Sequence, residues 1–184
     1  ANKAVGMYGK SSKVENNNSI SSTADEAIGM YGVSANVENK GNISLSNTST
    51  VAMYGDNSNV TNSNVIDITG EKSIGMYGEN SSNLVNNQGI ILGNSTNIST
   101  ANTGIYSNNS TSVNNGNITG GDNSIGVYNS GQFDNFGNIQ LGVGAVGVYS
   151  DGGTATIHTG SKVEAGEVAL LVKNGVLTNN TSDI

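Results

Sequence analysis

The sequence predicts an all-β chain wound as a right-handed parallel β-helix, a solenoid of about eight coils of roughly 21–29 residues with three short strands per coil. Three observations point there. A six-residue word returns along the chain at near-constant spacing. Two further apolar segments recur inside each interval. The stretches between them are built from Asn, Ser and Gly, the residues of turns.

The word opens as Ala4-Val5-Gly6-Met7-Tyr8-Gly9 and returns as Ala27-Ile28-Gly29-Met30-Tyr31-Gly32. It continues as Thr50-Val51-Ala52-Met53-Tyr54-Gly55 and Ser73-Ile74-Gly75-Met76-Tyr77-Gly78. Looser copies follow at Gly104-Ile105-Tyr106, Gly126-Val127-Tyr128 and Gly147-Val148-Tyr149, and Val168-Ala169-Leu170-Leu171 puts leucine in the tyrosine position. The tyrosines lie 23, 23, 23, 29, 22 and 21 residues apart. A period in this range marks a solenoid whose every copy is one coil. Leucine-rich repeats share the period, but their leucine density is missing.

The word itself reads as the first strand. Two-residue alternation puts Val5 and Met7, with their equivalents, on one side, and Ala4, Gly6 and Tyr8 on the other. The first side carries the apolar bulk, so it is expected inward. The second strand contains Val14, Val37, Val60 and Phe133, all expected in the same core. Asn16, Asn39, Asn62, Asn87 and Asn135 follow at a recurrent turn, where asparagine tolerates left-handed backbone and can bond to its counterpart one coil on. The third strand reads Ile43-Ser44-Leu45, Ile66-Asp67-Ile68 and Ile139-Gln140-Leu141, apolar alternating with polar. In the fifth coil, near Val113 to Asn115, the register is open by one residue. At a strand spacing of ~4.8 Å, eight coils make a rod roughly 38 Å long.

One interval is longer. About six extra residues fall around Gly93 to Ala101, and Asn94, Ser95, Thr96, Asn97 and Ser99 are the candidate recognition loop. A plain insertion is an equal alternative, since loop length costs little.

Composition narrows the function. The chain has 184 residues and a formal net charge of −7, and its seven basic residues are all lysine. That balance disfavours nucleic acid and anionic membrane surfaces as partners. With no cysteine there is no disulfide, zinc ribbon or thiol nucleophile. No apolar run reaches membrane-spanning length, so membrane insertion by this segment is not expected.

No catalytic, cofactor or metal site is expected either. The acids are scattered over several turn positions. Glu15 and Glu38 share one outward rank and could hold a cation, but Thr61 ends the series, so solvated carboxylates are expected. His158, the only histidine, is expected outward and solvated, without metal-ligand spacing around it. Gly142-Val143-Gly144 and Gly152-Gly153 read as turns. Asn-x-Ser/Thr sequons are numerous by chance in such a chain and carry no inference of glycosylation.

The tyrosine rank remains: Tyr8, Tyr31, Tyr54, Tyr77, Tyr106, Tyr128 and Tyr149. Beside it, two positions earlier, run Gly6, Gly29, Ala52, Gly75, Gly104, Gly126 and Gly147. On one face these ranks would form a furrow with an aromatic wall, a candidate ligand groove for a glycan or an extended segment. The alternative is structural, each ring stacking on the next and covering glycine backbone.

Ser73-Ile74-Gly75-Met76-Tyr77-Gly78 and Asn135-Phe136-Gly137-Asn138-Ile139-Gln140-Leu141 resemble the cadence of type V autotransporter passenger regions. The likeness is nearest to the large fusobacterial outer-membrane adhesins of the RadD-like kind, and it covers nearly the whole chain. It implies export to the bacterial cell surface and attachment to a host-cell or bacterial surface protein or glycan. It assigns no functional residue, because the shared words are scaffold. The expectation is one β-helix segment over residues 1–184, monomeric, uncapped at both ends and part of a longer passenger. Two other classes stand beside the adhesin. A carbohydrate-active β-helix enzyme requires three or more carboxylates converging on one outer face. A mechanical spacer has no ligand.

Overall fold

The computed structural model describes residues 3–184 and contains 23 strands, with a single 3-10 turn at Ile98–Thr100 among the described residues. One coil shows the plan: strands Ile28–Val33, Asn36–Asn39 and Ile43–Leu45, after which the next coil begins at Val51. Like strands pair in parallel with like, giving two eight-stranded sheets and one seven-stranded sheet that run the length of the molecule. This is a right-handed parallel β-solenoid of about eight coils.

The register is uniform. In the first sheet Tyr31 sits between Tyr8 and Tyr54, and in the second Val37 sits between Val14 and Val60. In-register stacking places equivalent side chains above one another, so each sequence position becomes a column along the axis. The interior columns form one core. Met30, Met53, Met76, Ile105, Val127 and Val148 come from the first sheet, and Ile43, Ile66, Ile90, Ile118, Ile139 and Val163 from the third. The second sheet contributes Val37, Val60, Leu84, Phe133 and Ala155. Each such side chain removed from water contributes about 1.5–3 kcal/mol.

The first strand departs from simple alternation. Met30, Met53 and Met76 are buried as expected, but Ile28, Val51 and Ile74 are only half-buried and lie outside the core. The buried rank before them is Ala27, Thr50, Ser73, Ser124 and Ala145. The cause is the small residue between. A Cβ on Gly29 would lie 2.6 Å from the Ala52 carbonyl oxygen and 3.1 Å from Ile43 Cγ2, so this position faces inward. Methionine, the next residue, faces inward as well. Two successive inward residues form a bulge-like break that transfers the Val/Ile rank to the tyrosine side. The expected inward Val5 rank and outward Gly6 rank are both corrected by this one-residue change of parity.

Buried polar columns complete the interior. Asn16, Asn39, Asn62, Asn86, Asn114 and Asn135 form an inward ladder, each Nδ2 donating to the next Oδ1 at 2.7–2.9 Å. The amide is suited to this because it carries donor and acceptor together, so every rung meets both neighbours. The fourth rung is Asn86 rather than Asn87, which is exposed. The fifth-coil register resolves with Asn114 in the ladder, Ser112 inward and Val113 on the outer face. Left-handed backbone falls at two other corners: between first and second strands, with φ of 49° at both Ser34 and Asn57, and before the next coil's first strand, with φ of 58° at both Ser49 and Lys72. A second ladder, absent from the sequence reading, passes up the corner between first and second strands. Ser58, Ser82 and Ser110 Oγ accept from the backbone N–H of Ala35, Ser58 and Ser82 at 3.0–3.1 Å.

Candidate functional site

The outer face of the first sheet carries the tyrosine column. The rings of Tyr8, Tyr31, Tyr54, Tyr77, Tyr106, Tyr128 and Tyr149 follow one another with centroids 4.5–5.4 Å apart. From Tyr54 to Tyr128 the rings are within 18° of parallel, whereas the outer pairs are edge-to-face. In the stacked stretch each ring covers its neighbour's face, and the ring edges are left for solvent. Tyr8, at the first coil, is 58 % exposed, and the later rings are half-buried.

The floor beside this column is not glycine. Gly29, Gly75, Gly104, Gly126 and Gly147 face the core, as their close approach to third-sheet side chains shows. The Val/Ile rank and the tyrosine rank therefore share an outward apolar band, and the furrow expected from a glycine floor is absent.

The rank two residues beyond the tyrosines adds charge. Asp56 and Glu79 are register neighbours on consecutive coils. The Tyr54 hydroxyl donates to Glu79 Oε1, and the Tyr77 hydroxyl donates to Glu79 Oε2 at 3.1 Å. Tyr149 makes the equivalent bond to Asp151 at 3.2 Å. Partial burial, reinforced by Glu79, raises the Tyr77 phenol to about 12 and raises that of Tyr54 well above its ordinary value of 10.0. Burial likewise raises Tyr31, Tyr106 and Tyr128.

A raised phenol pKa stabilises the fold fully below pH 10, and that contribution is lost as pH climbs towards the folded value. The melting temperature is therefore expected to fall between pH 10 and about 12. Ionisation of Tyr31, Tyr54, Tyr77, Tyr106 and Tyr128 should accompany unfolding. Phenolate forming at these five positions in the intact fold near pH 10, with no loss of stability, would contradict the ladder.

The extended loop is tied down. The Thr96 hydroxyl and backbone N–H both donate to Glu71 Oε1, which lowers the Glu71 carboxyl below its usual range. Asn94 Oδ1 accepts from the Asp122 N–H at 3.0 Å, and buried Ser95 Oγ accepts from the Asn102 N–H at 3.1 Å. Asn97 caps the 3-10 turn and accepts from Ser99. Each of the five candidate loop residues thus has an internal partner, and exposed Ile98 stands at the tip.

The charged pairs of the second sheet also find partners within the chain. Lys13 and Lys40 bracket Glu15 and Glu38, with Lys40 Nζ 3.2 and 3.3 Å from the two carboxylates and Lys13 Nζ 3.5 Å from Glu38. The Lys13 ammonium, assisted by Asn17 and Lys40, holds the Glu15 carboxyl at about 2. The chain's own ammonium groups thus occupy the place considered for a cation. His158 is outward but engaged, its Nε2 2.9 Å from Asp134 Oδ1 and its ring stacked on Phe136 at 4.0 Å. No group of three or more His, Cys, Asp or Glu side chains that could hold a metal ion occurs among the described residues.

Sequence reasoning missed Glu79 and the His158–Phe136 pair. The signal was available in both: Glu79 lies two residues after Tyr77, and His158 is one coil after Phe136. No family model, curated protein or solved structure matches the chain.

Proposed function

We propose that the chain is a rigid segment of a surface-displayed bacterial adhesin of the autotransporter passenger kind, serving attachment to a host cell or another bacterium without catalysing a reaction. The observation that carries this reading is the unbroken registration of three sheets over about eight coils. Parallel ladders of this kind resist bending, because every rung is hydrogen-bonded to both neighbours. Such a rod holds a binding element away from a cell surface. The repeated words, similar to those of fusobacterial passengers, supply the attachment part of the proposal. No helix among the described residues is long and apolar enough to cross a membrane.

The internal bonding of the loop from Gly93 to Ala101 favours a second reading, in which this stretch is stalk alone. A glycan array and a pull-down from host-cell and bacterial surface extracts separate the two. Binding by the segment supports a ligand surface here. Binding only by a longer stretch of the polypeptide makes this region stalk. Binding by neither contradicts attachment.

The tyrosine column has its own test. Replacing Tyr54 and Tyr77 together with alanine removes three aromatic contacts, each contributing about 0.5–1.5 kcal/mol beyond burial. A stability loss of about 2–4 kcal/mol is expected in denaturant titrations. Unchanged stability with lost ligand capture would make the column a binding surface rather than a structural ladder.

A further inference from the structure

Tyr54 and Tyr77 stack with ring centroids 4.8 Å apart and planes 10° from parallel. Their hydroxyls converge on the two oxygens of one carboxylate, Glu79. No basic side chain pairs with Glu79 among the described residues. Tyr149 has an acidic partner of its own, but Tyr54 and Tyr77 share theirs. The chain has neither cysteine nor tryptophan; Met30, Met53 and Met76 are sealed in the core, and Met7, in the first coil, is partly buried. Beyond the first coil, oxidants arriving from solvent therefore meet the tyrosine column rather than a sulfur.

We propose that Tyr54 and Tyr77 are a site of oxidative cross-linking, at which a haem-peroxidase-type one-electron oxidant using hydrogen peroxide joins the two rings into a covalent staple between coils. This goes beyond the attachment reading and does not depend on it.

Removing an electron from a phenol makes its hydroxyl proton strongly acidic. Glu79 already accepts that hydrogen bond, so it takes the proton and passes it to water. Each ring then carries a neutral phenoxyl radical. The two radicals couple through one new carbon–carbon bond between ring carbons ortho to the hydroxyls. The hydrogens displaced from those carbons move to the oxygens and restore both phenols. Over the whole step two electrons and two protons leave the tyrosines, and one hydrogen peroxide becomes two waters. Rotation of both rings about the Cβ–Cγ bonds turns the stacked pair edge to edge, which their partly open position permits. The product ties neighbouring rungs of the first sheet in a chain that has no disulfides.

Tyr106 and Tyr128 provide an internal reference. They stack at 4.5 Å and 18°, without a shared carboxylate. The purified chain would be treated with a haem peroxidase and hydrogen peroxide, and its cross-linked peptides mapped by mass spectrometry. The expected result is a Tyr54–Tyr77 link within one chain, at a yield independent of protein concentration and above that of Tyr106–Tyr128. Glu79→Gln should lower that yield several-fold while leaving the Tyr106–Tyr128 yield unchanged. Glu79→Asp, which withdraws the carboxylate while keeping its charge, should do the same. Circular dichroism melts identify which of the two variants keeps the fold and is scored. Links mainly between chains, links spread evenly along the column, or a Tyr54–Tyr77 yield indifferent to the scored variant would overturn the proposal.

Discussion

Phe133→Ala is expected to lower the free energy of unfolding by about 3–5 kcal/mol. Phe133 is the largest fully buried side chain of the core, and its column neighbours are Ser112 below and Ala155 above. The large ring thus fills space that two small residues leave on adjacent rungs. Truncation leaves a cavity that cannot collapse, because backbone ladders fix the spacing of the coils on either side. Phe133→Leu should recover part of the loss by refilling most of the volume. Urea titrations followed by circular dichroism measure both variants. A loss below about 1 kcal/mol for the alanine variant would mean that the ring does not bridge the rungs as described.

Asn62→Asp carries the second large effect, about 3–5 kcal/mol at neutral pH. Asn62 is fully buried, accepts from Asn39 Nδ2 at 2.9 Å and donates to Asn86 Oδ1 at 2.9 Å. A carboxylate keeps the first bond but turns the second into two acceptors facing each other. It also buries a charge without a cation. Protonation restores the missing donor, so the introduced carboxyl has a raised folded pKa. Stability is then retained below its unfolded value near 3.9 and lost as pH rises through the folded value. Asn62→Ala serves as the comparison. It leaves Asn39 and Asn86 each short of a partner at every pH, so its penalty should not ease in acid. If both variants show the same pH profile, the ladder is not the buried amide chain observed.

The sequence showed the fold at the level of columns and lost it at the level of single residues. Tyrosine spacing, the apolar–polar alternation of the third strand and the Asn-rich turns were enough for coils, sheets and parallel register. Met30 and Phe133 fell inward as their bulk requires. The Val5–Ile28–Val51 rank did not, because two-residue alternation assumes a regular pleat. A small residue, glycine or Ala52, lets the backbone break that pleat, and the close approach of Gly29 to Ala52 and Ile43 arises only once coils are stacked. Asn86 was displaced to Asn87 for a related reason: position within a coil was counted through Asn- and Ser-rich turns that carry no hydrophobic marker.

The candidate site was less legible. The tyrosine column was visible as a repeat, but its furrow depended on the glycine orientation that the stacking reversed. The loop residues Asn94 to Ser99 look free in the sequence because Glu71, Asn102 and Asp122, their partners, come from other positions in the wound chain. The Lys13 and Lys40 bracket around Glu15 and Glu38 is hidden in the same way. Thr96 and Glu71, like Lys40 and Glu15, lie 25 residues apart and become neighbours only after one turn of the solenoid.

The rod itself can be measured directly. Asn36 and Thr154 occupy one outward column of the second sheet, five coil steps apart through Asn59, Asn83, Thr111 and Gln132. Spin labels at Asn36→Cys and Thr154→Cys, read by pulsed dipolar spectroscopy, should give a narrow distribution centred at about 24 Å, five strand spacings. A broad distribution, or a narrow one centred far from that distance, would contradict the stacked solenoid.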